Sequence, residues 1–75
     1  MSVVMYPNPA SEKVIFETSE AVRRCEVYNI NGALVYSMTD CSDNFEINVS
    51  EFAAGNYIVR LISDNSVQTR RFTKK

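Results

Sequence analysis

The sequence predicts an all-β protein, a seven-stranded antiparallel sandwich. Three observations carry that prediction. Short runs rich in Val, Ile, Tyr and Phe recur every eight to twelve positions or so, with turn residues between them. No stretch carries a convincing helical period. Near the end, Phe52-Ala53-Ala54-Gly55-Asn56-Tyr57 reads as a tyrosine corner. That device is an apolar residue, a tight reversal and a Tyr that opens a late strand, its hydroxyl bonded back to upstream backbone. The expected acceptor lies in the corner from Ser50 to Ala53.

Each strand has its own justification. The first is Val3 to Tyr6, stopped by Pro7 and Pro9, which have no N–H for a ladder. The second runs from about Lys13 to Glu17, with Val14 and Phe16 on one face. The third covers about Arg23 to Tyr28, where Cys25 and Val27 share a face. Asn29-Ile30-Asn31-Gly32 follows, and Asn-Gly between apolar runs predicts a hairpin with a type I′ turn. The fourth strand is Ala33 to Met38. A polar loop, Thr39 to Asp43, leads to the fifth strand at about Asn44 to Val49. Ser50 is placed to cap a single helical turn through Ala54, and Gly55 permits the reversal that follows. The sixth strand is Tyr57 to Ser63. Asp64-Asn65 closes the last hairpin, and Val67 to Thr73 is the seventh strand. A bulge near Arg70 would let Val67 and Phe72 both point inward. The predicted core is Val14, Phe16, Cys25, Val27, Val35, Phe45, Ile47, Val49, Phe52, Tyr57, Val59 and Leu61. Seven short strands in this order describe an immunoglobulin-like arrangement.

Seventy-five residues make one domain, expected to span 1–75. A chain this short buries only about 60% of its unfolded surface, so its stability is modest. The net charge of −1 gives no long-range field toward nucleic acid. No apolar run reaches the roughly 20 residues that cross a bilayer as a helix. Met1-Ser2-Val3-Val4-Met5 has neither the basic segment nor the apolar core of a signal peptide. The chain is therefore expected to come from the end of a longer protein, with Met1 and Ser2 an added start and Lys75 a natural terminus.

Residues for catalysis are scarce. There is no His to act as a base near neutral pH. The two glycines are far apart and form no phosphate loop. Asp40, Asp43 and Asn44 match no EF-hand spacing. Neither a cofactor nor a metal is expected, and no enzymatic activity. Two cysteines without His do not complete a structural zinc site. They leave two readings open: unrelated thiols, one of them buried as a small hydrophobe, or a disulfide in an oxidising compartment.

Two segments remain as candidate recognition elements. Tyr6-Pro7-Asn8-Pro9-Ala10 is rigid, since Pro7 holds Tyr6 extended and Asn8 bonds local backbone. Arg70, Arg71, Lys74 and Lys75 crowd the terminus. Charge on an edge strand blocks aggregation, and a basic extended end also suits capture by a partner. Lys74 and Lys75 are expected to be exposed, with few packing contacts.

These segments, taken in order, resemble the C-terminal sorting domains of the type IX secretion system, type A. The resemblance rests on Tyr6-Pro7-Asn8-Pro9-Ala10, on Glu26-Val27-Tyr28-Asn29-Ile30-Asn31-Gly32-Ala33-Leu34-Val35, on Ile47 to Ser50 with Phe52, on Gly55-Asn56-Tyr57-Ile58-Val59-Arg60-Leu61, and on the basic close at Arg71 and Lys74-Lys75. Phe52 stands where Leu is more usual, and the cysteines lie outside the family pattern. The resemblance implies a label without catalytic role at the end of a cargo protein of Bacteroidetes-group bacteria. It implies that the label engages the outer-membrane translocon and its shuttle protein. A sortase-like cysteine peptidase would then remove it. The route would be periplasm first, then cell surface or medium. Its motif residues here would be Tyr6, Pro7, Asn8, Pro9, Gly32, Gly55, Tyr57, Arg70, Arg71, Lys74 and Lys75.

A different class of function competes. A carbohydrate-binding or adhesive sandwich would display Tyr6, Tyr28 and Tyr36 to stack on sugar rings. A structural spacer of fibronectin type III shape is a third reading. Fold alone does not choose among them.

Overall fold

The computed structural model of the chain describes residues Met1 to Lys75. It holds five strands: β1 (Val3–Tyr6), β2 (Lys13–Tyr28), β3 (Leu34–Asn48), β4 (Gly55–Ile62) and β5 (Val67–Lys74). All pair antiparallel. The all-β prediction holds, but the count of seven does not. The predicted second and third strands are one strand, β2, and the predicted fourth and fifth are one strand, β3. The physical reason lies in the polar segments between them. Thr18–Val22 and Thr39–Asp43 read as loops because they lack apolar alternation. They are instead matched irregularities in one continuous ladder. The β2–β3 register shifts between Glu17 and Val22, and again between Val22 and Arg24. The two strands therefore bend together rather than break.

The bend divides the sheet into two layers. In one, the first half of β2 lies between β1 and the second half of β3 (Phe16 opposite Met5 and Phe45). In the other, the second half of β2 lies between the first half of β3 and β4, and β5 pairs with β4. Side-chain parity switches at the bend. In β2 the buried positions are Val14 and Phe16 before it, and Cys25 and Val27 after it. The layers face one shared core. Val14, Phe16 and Ile47 come from the first layer, and Val27, Val59, Leu61 and Phe72 from the second. Burying such side chains contributes roughly 1.5–3 kcal/mol each.

Several local expectations change. Val35 is exposed, because Tyr36 rather than Val35 sits opposite Val27 on the inner face. Phe45 and Phe52 are half-buried at the rim. Ala10, Val22, Cys41 and Phe72 join the core. There is no bulge near Arg70: the β4–β5 ladder is regular from Gly55–Lys74 to Ile62–Val67, and Val67 points outward. At Asn29–Gly32 only Gly32 has positive φ, +81°, so the turn is not type I′. Asn29 holds it from one side, its Oδ1 accepting from the N–H groups of Asn31 and Ala33. Ser50 opens a turn without helix, closed by the Phe52 N–H to the Val49 carbonyl.

Candidate functional site

Asn8, Pro9, Gly55 and Tyr57, far apart in the chain, converge on the end of β5. One flank of that end is β4. Gly55 pairs with Lys74, Asn56 with Thr73 and Tyr57 with Phe72. Gly55 has φ +146°, a conformation nearly closed to residues with a Cβ. It lets the chain turn out of the corner and straight into β4. Tyr57 is buried, and its hydroxyl donates to the Ala53 carbonyl at 2.6 Å. The predicted tyrosine corner is thus present. Its ring stacks on Phe72 (centroids 5.4 Å apart) and tilts against Phe52 (5.1 Å).

The other flank is the N-terminal motif. Pro7 and Pro9 have no N–H to offer, so the Asn8 side chain supplies the bonds. Its Oδ1 accepts from the Thr73 N–H at 3.0 Å, and its Nδ2 donates to the Arg71 carbonyl at 3.4 Å. Ala10 continues the seam: its N–H donates to the Thr73 carbonyl, and its carbonyl accepts from the Lys75 N–H, both at 2.8 Å. Ala10 is fully buried. The two X-Pro bonds of the motif are cis. Tyr6 stands outside the seam. Its hydroxyl donates to Glu17 at 2.6 Å, and this bond to a carboxylate raises the phenol above its ordinary range.

The basic end is not one patch. Arg70, Phe72 and Lys74 point to the inner face, while Arg71, Thr73 and Lys75 point outward. Lys74 is buried, against expectation, and its Nζ donates to the Lys75 oxygen at 3.2 Å. Cross-strand pairing with Gly55 places it there, and its long stem suits burial beside apolar neighbours. Arg70 is tied to its own strand through Gln68 and the Thr69 carbonyl. Other arginines are paired: Arg23 with Asp64, and both Arg24 and Arg60 with Glu26. The bonds from Arg24 first, and from Tyr28 next, hold the Glu26 carboxyl below its usual range. Arg71 has no ion-pair partner. It borders a hollow of about 220 Å³ with Ile30, Asn56 and Ile58. A second hollow, about 200 Å³, lies between the Asn29–Asn31 turn and the Ala53–Tyr57 corner. Gly32 thus belongs to the same end of the molecule through its turn, though it lines neither hollow.

The seam of Asn8 and Ala10 was missed in the sequence. Its signal was there: an Asn set between two prolines is the one residue of that trio with hydrogen-bond donors to give. The tyrosines do not form a sugar platform. Tyr36 lies on the inner face opposite Val27, Tyr28 on the outer face bonded to Glu26, and Tyr6 in the other layer. No cluster of three or more acidic or Cys side chains is placed to hold a metal ion.

A secretion system C-terminal sorting domain model matches residues 4–75. The chain belongs to that family. It is a type IX secretion sorting domain, as the motifs at the two ends of its sequence indicated. The cargo of such a tail is a secreted or cell-surface protein. A solved structure with the same fold is PorZ, a bacterial surface component of the type IX secretion system of Porphyromonas gingivalis. The match has a TM-score of 0.77 at 20% identity and covers 99% of this chain and 11% of PorZ. At that identity the likeness shows the fold alone. None of the curated proteins searched by sequence matches the chain.

Proposed function

We propose that the sorting signal is read at the clamped end of β5, through the outward charges of Arg71 and Lys75. The readers are the type IX translocon and its outer-membrane shuttle protein. The observation that carries this reading is the seam. β5 is held on one edge by Gly55–Tyr57 and on the other by Asn8 and Ala10. The end is therefore rigid, while the Arg71 guanidinium stays unpaired. A rigid backbone with free charge binds at small entropic cost. After passage through the periplasm, a sortase-like cysteine peptidase cuts upstream of Val3. The cargo then stays at the surface or is released.

The test fuses the domain to a periplasmic reporter in a type IX-competent bacterium. The unmodified fusion should appear outside the cell. The R71Q/K75Q fusion should stay in the periplasm, with a denaturation midpoint shifted by no more than the roughly 0.5 kcal/mol of surface changes. Normal export of this folded variant refutes recognition at the tail and points to Tyr6-Pro7-Asn8-Pro9. Removing Lys74 and Lys75 together is a different experiment. It takes away the Gly55 pairing and the Ala10 bond, and about 1 kcal/mol is expected for each lost hydrogen bond. A deletion that leaves urea unfolding unchanged would contradict the seam.

A further inference from the structure

Cys25 and Cys41 are free thiols in the structure, and the fold buries both beside the bend of β2 and β3. Both side chains belong to the shared core. Cys25 is opposite Met38 in the β2–β3 ladder. The Cys41 thiol donates to the Met38 carbonyl, with Sγ 3.6 Å from the oxygen. The Cys41 sulfur thus lies against the cross-strand partner of Cys25.

The backbone around Cys41 is a second, independent observation. Asp40 (φ 53°) and Ser42 (φ 63°) are the non-glycine residues with positive φ. That conformation is uncommon for a residue with a Cβ. It changes the parity of β3. Tyr36 and Met38 face inward before the bend, and Ile47 after it. Cys41 is the first residue to face inward on the new parity. Burial, and next the neighbouring Cys41, push the Cys25 thiol up to about 12. Burial raises Cys41 as well, while the Cys25 backbone N–H acts in the opposite direction.

We infer that Cys25 and Cys41 are a disulfide-forming pair, a covalent link between β2 and β3 at their common bend. The inference rests on membership of a family whose cargo leaves the cell, and not on how the tail is read. Small domains outside the cytosol commonly carry such staples. The oxidant is a small-molecule or protein disulfide. The Cys41 thiolate attacks one of its sulfurs, forms a mixed disulfide and expels one thiolate. The Cys25 thiolate then attacks the Cys41 sulfur and expels the second. Two protein thiols lose two protons and two electrons, and the oxidant becomes two thiols. Cys41 reacts first, while the bend is still closing, because it is the less completely buried of the two. Neither thiol ionises readily once buried, so the link forms as the chain folds.

The experiment refolds the whole chain from urea in oxidised and reduced glutathione. Remaining thiols are then blocked with N-ethylmaleimide under denaturing conditions, and the intact mass is read. The expected product is a monomer lighter by two thiol hydrogens and free of maleimide. Its digest links the Cys25 peptide to the Cys41 peptide, and its urea midpoint falls when reductant is added. Two maleimide adducts, a persistent glutathione adduct or a chain-to-chain dimer would each overturn the inference. Any of these would mean that the bend does not bring the two Cα atoms within the roughly 4.4–6.8 Å that a disulfide spans.

Discussion

The two ends of this domain are ordered by different means. At the clamped end, Asn8 and Ala10, Gly55–Tyr57 and Arg71–Lys75 meet through backbone bonds, the Asn8 side-chain amide and a buried aromatic stack. At the far end, where β2 and β3 bend, order comes from polar side chains. Thr18 donates to the Glu20 carbonyl, Ser63 to the Glu20 carboxylate, and Arg23 forms a two-bond pair with Asp64. The difference teaches where change is tolerated. An exposed ion pair such as Arg23–Asp64 contributes little. A backbone seam beside a packed ring has few substitutes.

The largest expected effect tests that contrast at its apolar centre. Phe72 is 1% exposed and stacks on Tyr57. Phe72→Ala should cost about 3–5 kcal/mol in urea unfolding. Arg23→Ala at the other end should cost less than about 1 kcal/mol. Equal costs would erase the distinction between the ends.

Gly55 comes next and isolates the backbone. An added Cβ there meets nothing within 4 Å, so only the φ of +146° resists it. Gly55→Ala should cost about 1 kcal/mol or more. Unchanged unfolding would mean that the corner relaxes freely and is not what sets the direction of β4.

The smallest effect concerns the outer face between the two ends. Glu26 accepts from Arg24 and Tyr28, and its carboxyl titrates below the ordinary 4.5. A depressed carboxyl favours the folded state above its unfolded pKa, and that contribution fades as pH falls through the folded value. Wild type should thus exceed Glu26→Gln in stability near neutrality, and the gap should close in acid below about pH 4. A gap that persists at low pH assigns the difference to packing rather than charge.

How much was legible in the sequence follows the same division. Tyr57 and Gly55 were readable because the tyrosine corner depends on local chain direction. Val3–Tyr6 and the β5 hairpin were readable from apolar alternation and flanking turn residues. The bends were not. Thr18–Val22 and Thr39–Asp43 have the composition of loops, and only their partner strand keeps them extended. Val35 was misplaced for the same cause, since one irregularity in the ladder exchanges inner and outer faces. Lys74 was misjudged because its type speaks for solvent, while its register opposite Gly55 decides for the interior. The site was legible as two separate motifs. That they touch is a long-range fact, and no local pattern contains it.

The seam between Asn8 and Thr73 joins positions 65 apart in a chain of 75. Closing so long a loop carries a large entropic cost, repaid only by contacts that the intervening chain must already have made. Pulse-labelled refolding should therefore protect the Thr73 and Lys75 amides after those of β2 and β4; earlier protection would refute this order. The last strand then works like a wax seal. It sets only when everything between the two ends is whole, so a clipped or half-folded domain would offer its reader no finished end.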